Sequence, residues 1–443
     1  MLDSLRTILA NDPVVKTYTQ PYEVVPCRSV TAFSLLYLLP GVLQAGLLYP
    51  PLSRLRWLRW LRLLMTPLVV YASLRWPVDY CFTPTTRRGY HNLALACASF
   101  TMAARSIEWG SLNSFKEGKI WKRPEFDSSA PHPKQSPKSS FSDWLAWTIE
   151  LASSPRGIQY DWGVKAAPNT ESALDVVVRM YKLNIIHVLV TAFSILCRDE
   201  GSATNALRYL GLGGFYGQTI VAEGLASLAF GYYLVTMIEL IFSYMTLLIH
   251  LLVLVHTRLV SLPDWLMRTC DTRTCVPMFN SPHTSASLAH LWGRAWHQNF
   301  RQTFLICGGA PASKLAKNLR LSPQLQKIAG MCACFFISAL LHEYAVHFIA
   351  RQPHPSAYIL FHDFPGSAVY FLLQPIGIVL EPFLIPYIPG GGIVWCYLFT
   401  LSTTIPFRRQ YFMPARLLDH SFPAVSWSWF FSSLLVPGFT SRG

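Results

Sequence analysis

Charged residues are scarce in this sequence, 14% of 443, against roughly 25% in ordinary soluble domains. Acidic ones are scarcer still, 23 Asp and Glu beside 37 Lys and Arg. With 52% hydrophobic residues and a mean hydropathy of +0.30, that shortage excludes an ordinary soluble globule. Met1 to Tyr22 lacks a positively charged stretch followed by an apolar region and a cleavage site. No cleaved leader is therefore expected, and the first apolar span is read as an uncleaved targeting signal. Close cysteine pairs are missing as well. Of ten cysteines, Cys270 and Cys275 stand too far apart for a CxxC motif, and Cys97, Cys332, Cys334 and Cys396 lie inside apolar runs. These read as small buried hydrophobes rather than a disulfide framework, and no metal site is expected.

What is present is a series of apolar windows near the roughly 20-residue length that crosses a bilayer core. They fall near 29–49, 57–76, 90–106, 175–197, 214–235, 236–256, 329–350, 357–385 and 390–406. A further stretch at 424–438, with Trp427, Trp429, Phe430 and Phe431, is either a short span or an interfacial segment. The expected fold class is all-α, a polytopic transmembrane helical bundle of about 8–10 spans. Residues 1–443 read as one membrane-embedded domain. The stretch 111–140, with Ser128, Ser129, Pro131, Pro133, Ser136 and Pro137, has no apolar period and is expected to be a flexible basic loop.

A formal net charge of +14 is large for so few charges. Basic loops mark the cytosolic side of a membrane protein and meet anionic lipid heads; they can also form the mouth of a site for an anionic substrate. The expected partners are membrane lipid and small molecules, not nucleic acid, and no oligomeric state is implied. The basic residues gather at Arg54 to Arg62, Lys116 to Lys138 and Arg258 to Lys327. The first two clusters are separated by two candidate spans, so they share a side. The third, a cytosolic-side basic region over 258–328, has three candidate spans before it, which is the wrong parity. Either 214–256 is partly re-entrant or one window is an internal helix.

Ionisable residues within apolar spans face the protein interior or a watery cavity. Here they include Glu223, Glu239, His250, His342, Glu343, His347, His362, Asp363 and Glu381. For each, a structural partner in the bundle competes with catalysis. Two segments carry more. In 287–302, His290, Arg294, His297 and Arg301 recur at helical spacing as one basic stripe, and Leu288, Trp292, Trp296 and Phe300 form an apolar arc. This predicts an amphipathic interfacial helix near 285–304, either binding phosphates through arginine or anchoring in lipid. The second segment, Ser338 to Glu343, puts a histidine and a glutamate in the middle of a span. A neutral imidazole there suits general-base work on a hydroxyl, and an interhelical hydrogen bond is the competing use. His342-Glu343 with His347 is one residue too long for the zinc-protease HExxH, because a five-residue step turns a helix by about 140°.

Together the two segments resemble the wax-synthase-like branch of the membrane-bound O-acyltransferases. The first reads Leu291-Trp292-Gly293-Arg294-Ala295-Trp296-His297-Gln298, and the second Ser338-Ala339-Leu340-Leu341-His342-Glu343. A third element, Pro155-Arg156-Gly157-Ile158 through Trp162 to Lys165, precedes them in the expected order. Ala295 replaces a second arginine of the pattern, and Ala339 a glycine. The resemblance implies a multi-pass protein of the endoplasmic reticulum that moves an acyl group from acetyl-CoA or another acyl-CoA, with no bound cofactor, to a hydrophobic alcohol. The overall pattern is similar to fungal acetyltransferases acting on terpenoids and related secondary metabolites. A long-chain wax-ester synthase is the alternative enzyme, and a polytopic transporter the alternative outside enzymes. The implied catalytic residues are His342 as general base and His297 as its polar partner. Arg294, Arg301 and Gln298 are the implied CoA contacts, with Glu343, Ser338 and Trp296 in support.

Overall fold

In the computed structural model the described residues are 27–53, 55–83, 88–111, 126, 140–197, 202–349 and 366–412. Most of the 111–140 loop, the 424–438 segment, His362 and Asp363 lie outside them.

The main helices are α1 (Leu39–Gly46), α2 (Arg56–Asp79), α3 (Gly89–Gly110), α4 (Phe141–Ala152), α5 (Ala173–Leu196), α6 (Gln218–Arg258), α7 (Pro323–Ile349), α8 (Gly366–Leu384) and α9 (Gly391–Phe412). The only sheet among the described residues is a two-residue parallel pairing of β1 (Arg28–Ser29) with β2 (Tyr80–Cys81). The all-α membrane class therefore stands. Among the described residues α5, α6, α7 and the stretch Gly366–Tyr387 are long and apolar enough to cross a bilayer. Helix α2 is long enough but carries Arg56, Arg59, Arg62, Arg75 and Asp79. The expected span at 29–49 does not form. A 3-10 turn (Ala32–Tyr37) and the eight-residue α1 stand in its place, broken by Pro40, Pro50 and Pro51. Eight residues reach about 12 Å, short of a roughly 30 Å core.

The windows 214–235 and 236–256 are one helix, not two. Helix α6 runs 41 residues without an internal proline, entering at Gly217 in the left-handed region (φ 81°). Only 22% of its most apolar window is buried in the protein, so most of its surface is left for lipid. Two crossings, α5 and α6, then separate residues 140–172 from 259–282, which restores even parity for the third basic cluster. Direct contact agrees, since the Asn169 N–H donates to the Arg273 carbonyl (2.8 Å).

The predicted amphipathic helix over 285–304 is also corrected. The chain forms one helical turn (Leu288–His290), a π-turn (Leu291–Ala295) and a break at Trp296 (ψ 153°), and helix resumes at Arg301–Phe304. Leu288 and Ala295 are fully buried, so the segment is packed into the protein instead of lying flat on the membrane surface. The break divides the basic stripe into His290 with Arg294, and His297 with Arg301. The reading of the cysteines as unpaired is overturned for two of them, because Cys27 and Cys81 form a disulfide that ties β1 to β2.

The largest core cluster joins α5 to α9 through Phe230, Tyr233, Phe335, Tyr370, Phe371 and Phe407. Trp292 of the π-turn packs onto it, which brings the broken segment against α7 and α8.

Candidate active site

Each part of the broken segment has a buried anchor. The Leu288 N–H donates to the Glu381 carboxylate on α8, and the Ser287 hydroxyl accepts from the His290 N–H (2.9 Å), so the short helix begins capped. The Trp292 indole N–H donates to Gln374 Oε1 (3.1 Å), and the Gln374 amide in turn donates to the Tyr370 carbonyl (3.0 Å). Where the π-turn ends, the Trp296 N–H reaches the Leu291 carbonyl (2.8 Å), and Gln298 Nε2 donates to the Trp296 carbonyl (2.7 Å). The break at 296–300 is thus held by hydrogen bonds, and it turns His297 inward.

Between this segment and α7–α8 lies a cavity of about 350 Å³. Trp296, His297, Gln298, Arg301, Ser338 and His342 all line it, six of the eight residues singled out from sequence. Arg294 and Glu343 do not line it. Arg294 is exposed on the outer side of the π-turn, whereas Glu343 is fully buried and accepts the Ala368 N–H (2.8 Å) at the start of α8. Gln298 borders the cavity but commits its amide nitrogen to backbone carbonyls. A second cavity of about 160 Å³ lies across Trp292 and Trp296, against α6 and α9.

His342 has a defined tautomer. Its Nδ1 lies 2.7 Å from the Ser338 carbonyl oxygen one turn earlier. A carbonyl only accepts, so Nδ1 carries the proton and Nε2 keeps a free lone pair. The ring packs against Phe371 with centroids 4.2 Å apart and planes tilted by 33°. His297 is enclosed by Phe279, Trp296 and Phe300. Burial, with His342 and Arg156 adding repulsion, pushes its pKa down to about 3, so the imidazole is neutral. Its Nδ1 is buried and has no hydrogen-bond partner among the described residues. Two imidazoles and one exposed guanidinium, that of Arg301, therefore border a chamber whose lining is mainly apolar and aromatic.

Residues 275–363 match the model of the Membrane bound O-acyl transferase family. Over these residues the chain is similar to that family. The matched segment contains both His297 and His342, and with them the broken helix and all of the cavity wall except Phe371 and Ile378. An acetyltransferase of Arthrobotrys oligospora is 31% identical over 121 residues, 24% of this chain and 24% of its own length. A protein of Arabidopsis thaliana named "Probable long-chain-alcohol O-fatty-acyltransferase 1" is 30% identical over 92 residues, 21% of this chain and 27% of its own. An O-mevalon transferase of Aspergillus niger is 25% identical over 262 residues, 54% of this chain and 52% of its own. The matches thus span between a quarter and about half of the relatives' lengths.

The acyltransferase-like segment also explains one departure from the pattern. Ala295 is fully buried beside Leu288, Leu291 and Cys396, so position 295 faces packing rather than phosphate. Sequence reasoning passed over Phe371, Gln374 and Cys334. Gln374 was discoverable as a lone amide in an apolar span; Phe371 and Cys334 carried no signal, since nothing separates them from ordinary core residues.

Proposed function

We propose that this protein is an acyl-CoA-dependent O-acyltransferase in which His342 Nε2 is the general base. The carrying observation is the Nδ1–H bond to the Ser338 carbonyl, which leaves the basic nitrogen on a ring bordering the cavity. The acceptor hydroxyl gives its proton to Nε2 as its oxygen attacks the thioester carbonyl. The tetrahedral intermediate collapses, the ester forms, and the departing CoA thiolate takes the proton back from His342. His297, neutral and with an unpartnered buried nitrogen, suits a hydrogen-bond donor to the developing oxyanion. Arg301, exposed at the rim of the cavity, suits the CoA phosphates, and Arg294 adds positive charge outside it. Glu343 and Ser338 act through position, one by capping α8 and the other by orienting His342.

The acceptor is a hydrophobic alcohol, and acetyl transfer to a terpenoid or related secondary metabolite is the finer reading. Its support is the likeness to the fungal acetyltransferase and to the O-mevalon transferase. The plant relative favours the long-chain alternative, a wax-ester synthase. The deciding experiment is transfer from labelled acetyl-CoA and palmitoyl-CoA in microsomes to a panel of terpenoid and fatty alcohols, with His342→Ala alongside. Ester formation in the wild type that disappears in a His342→Ala protein of equal abundance is expected, with acetyl-CoA preferred. Undiminished activity in His342→Ala would remove the proposed base. Preference for palmitoyl-CoA would select the wax-ester reading, and substrate flux without ester would select a transporter.

A further inference from the structure

The turn at 155–163 belongs to neither cavity wall, yet it reaches both flanks of the segment that carries His297. Arg156 is buried, and its guanidinium donates to the Val276 carbonyl (2.7 Å) and the Pro277 carbonyl (3.1 Å). It lies over the Phe242 ring of α6 at 4.9 Å. From the same helix Glu239 accepts the Met278 N–H (2.9 Å), so the two successive peptide groups that link residues 276 to 278 are gripped by opposite charges. The next residue, Phe279, packs edge-on against Trp296 (5.1 Å) and His297 (5.7 Å).

The second arm starts one residue later. Gly157 has φ 55°, and a Cβ there would stand 2.3 Å from the Trp162 ring. Only glycine lets that indole fold back over the turn. Folded back, Trp162 lies 4.3 Å from the Arg105 guanidinium, which is paired with Glu108 on α3. Glu108 Oε1 accepts from Gln302 Nε2 (2.7 Å), next in sequence to Arg301.

We infer that the 155–163 turn is a clamp that positions His297 and Arg301 over His342, through Arg156 before His297 and through Trp162, Arg105, Glu108 and Gln302 after it. These are positioning residues; none of them borders the cavity. Both arms are built from groups with little freedom, a two-pronged guanidinium and a buried ion pair, which suits a segment whose own helix is broken. The kinetic part of this inference rests on the acyl-transfer reading.

The test uses full-length Arg156→Lys and Gln302→Leu, one variant for each arm, purified in detergent and compared per folded molecule. Lys keeps the charge but not the planar fork, and Leu keeps the bulk but not the amide. Each variant is expected to lose kcat on the order of tenfold, with KM for acyl-CoA moving less than about threefold, as misalignment of bound reactants predicts. The second readout is independent of activity. Cys334 lines the cavity, and its Sγ contacts the Phe304 carbonyl at 3.5 Å, so a loosened segment uncovers it. Maleimide labelling of Cys334, located by peptide mass spectrometry, is expected to rise several-fold in both variants. Unchanged labelling would overturn the clamp even if the acyl-transfer reading fails, and raised labelling with unchanged kcat would overturn its positioning role.

Discussion

Glu239, Glu343 and Glu381 come from three different helices, and each receives a backbone N–H, from Met278, Ala368 and Leu288 respectively. A buried carboxylate without partners is costly, and an N–H at the start of a helix is a donor without one. The Glu343 and Glu381 pairings meet both needs, the Glu239 pairing the first, and each joins two parts of the chain. Glu343→Ala should therefore destabilise the protein by about 1–3 kcal/mol, the cost of orphaning a buried amide. Glu343→Gln, which keeps an oxygen in place, should cost clearly less. Thermal melts of the two variants in detergent check this; equal losses would assign Glu343 a charge-dependent role instead. His297 makes a pH prediction at the same scale. Its folded pKa of about 3 lies below the ordinary 6.5, so below pH 6.5 the unfolded chain binds a proton that the fold refuses. The stability is fully present above pH 6.5 and declines as pH falls toward 3, by about 1.4 kcal/mol at pH 5.5. Melting temperature measured from pH 7.5 to 5 should fall on acidification, and His297→Gln should flatten the slope.

The elements differ in how far they could be read in advance. Helices α5 and α7 matched their apolar windows because hydropathy reports transfer into lipid directly. The join between 214–235 and 236–256 was hidden, since a long uninterrupted apolar run looks like two spans of ordinary length. The break at 296–300 was hidden for the opposite reason. Helical spacing of His290, Arg294, His297 and Arg301 is real in the sequence, but a local bond from Gln298 and tertiary contacts from Gln374 and Glu381 decide where the helix stops. The two histidines proposed from sequence nevertheless line one cavity, although the shape of the segment between them was misread. Continuity of α6 has a measurable consequence. Glycosylation acceptors or single cysteines placed near residues 165 and 262 should report the same side of the membrane, and one near 212 the opposite side. Residues 165 and 262 on opposite sides would restore two separate spans.

At the scale of the molecule, the 155–163 turn sits against Val276 and Pro277 beside the candidate site, while the Cys27–Cys81 bond lies at the C-terminal end of α2. The bond ties Cys27, just before β1, to Cys81 of β2, and such bonds persist where the surroundings are oxidising. The bond closes a loop with a sequence separation of 54 residues, and its loss should cost about 2–4 kcal/mol. Cys81→Ser, or reductant added to purified wild type, should lower the melting temperature; an unchanged melt would mean that the β1–β2 pairing holds that end unaided. The same bond also imposes an order on biogenesis. Its two thiols, 54 positions apart, can meet only once α1 and α2 have brought β2 back beside β1, so the covalent link is made late. A chain caught before that pairing keeps both thiols, which makes their oxidation a timestamp of the packed N-terminal unit.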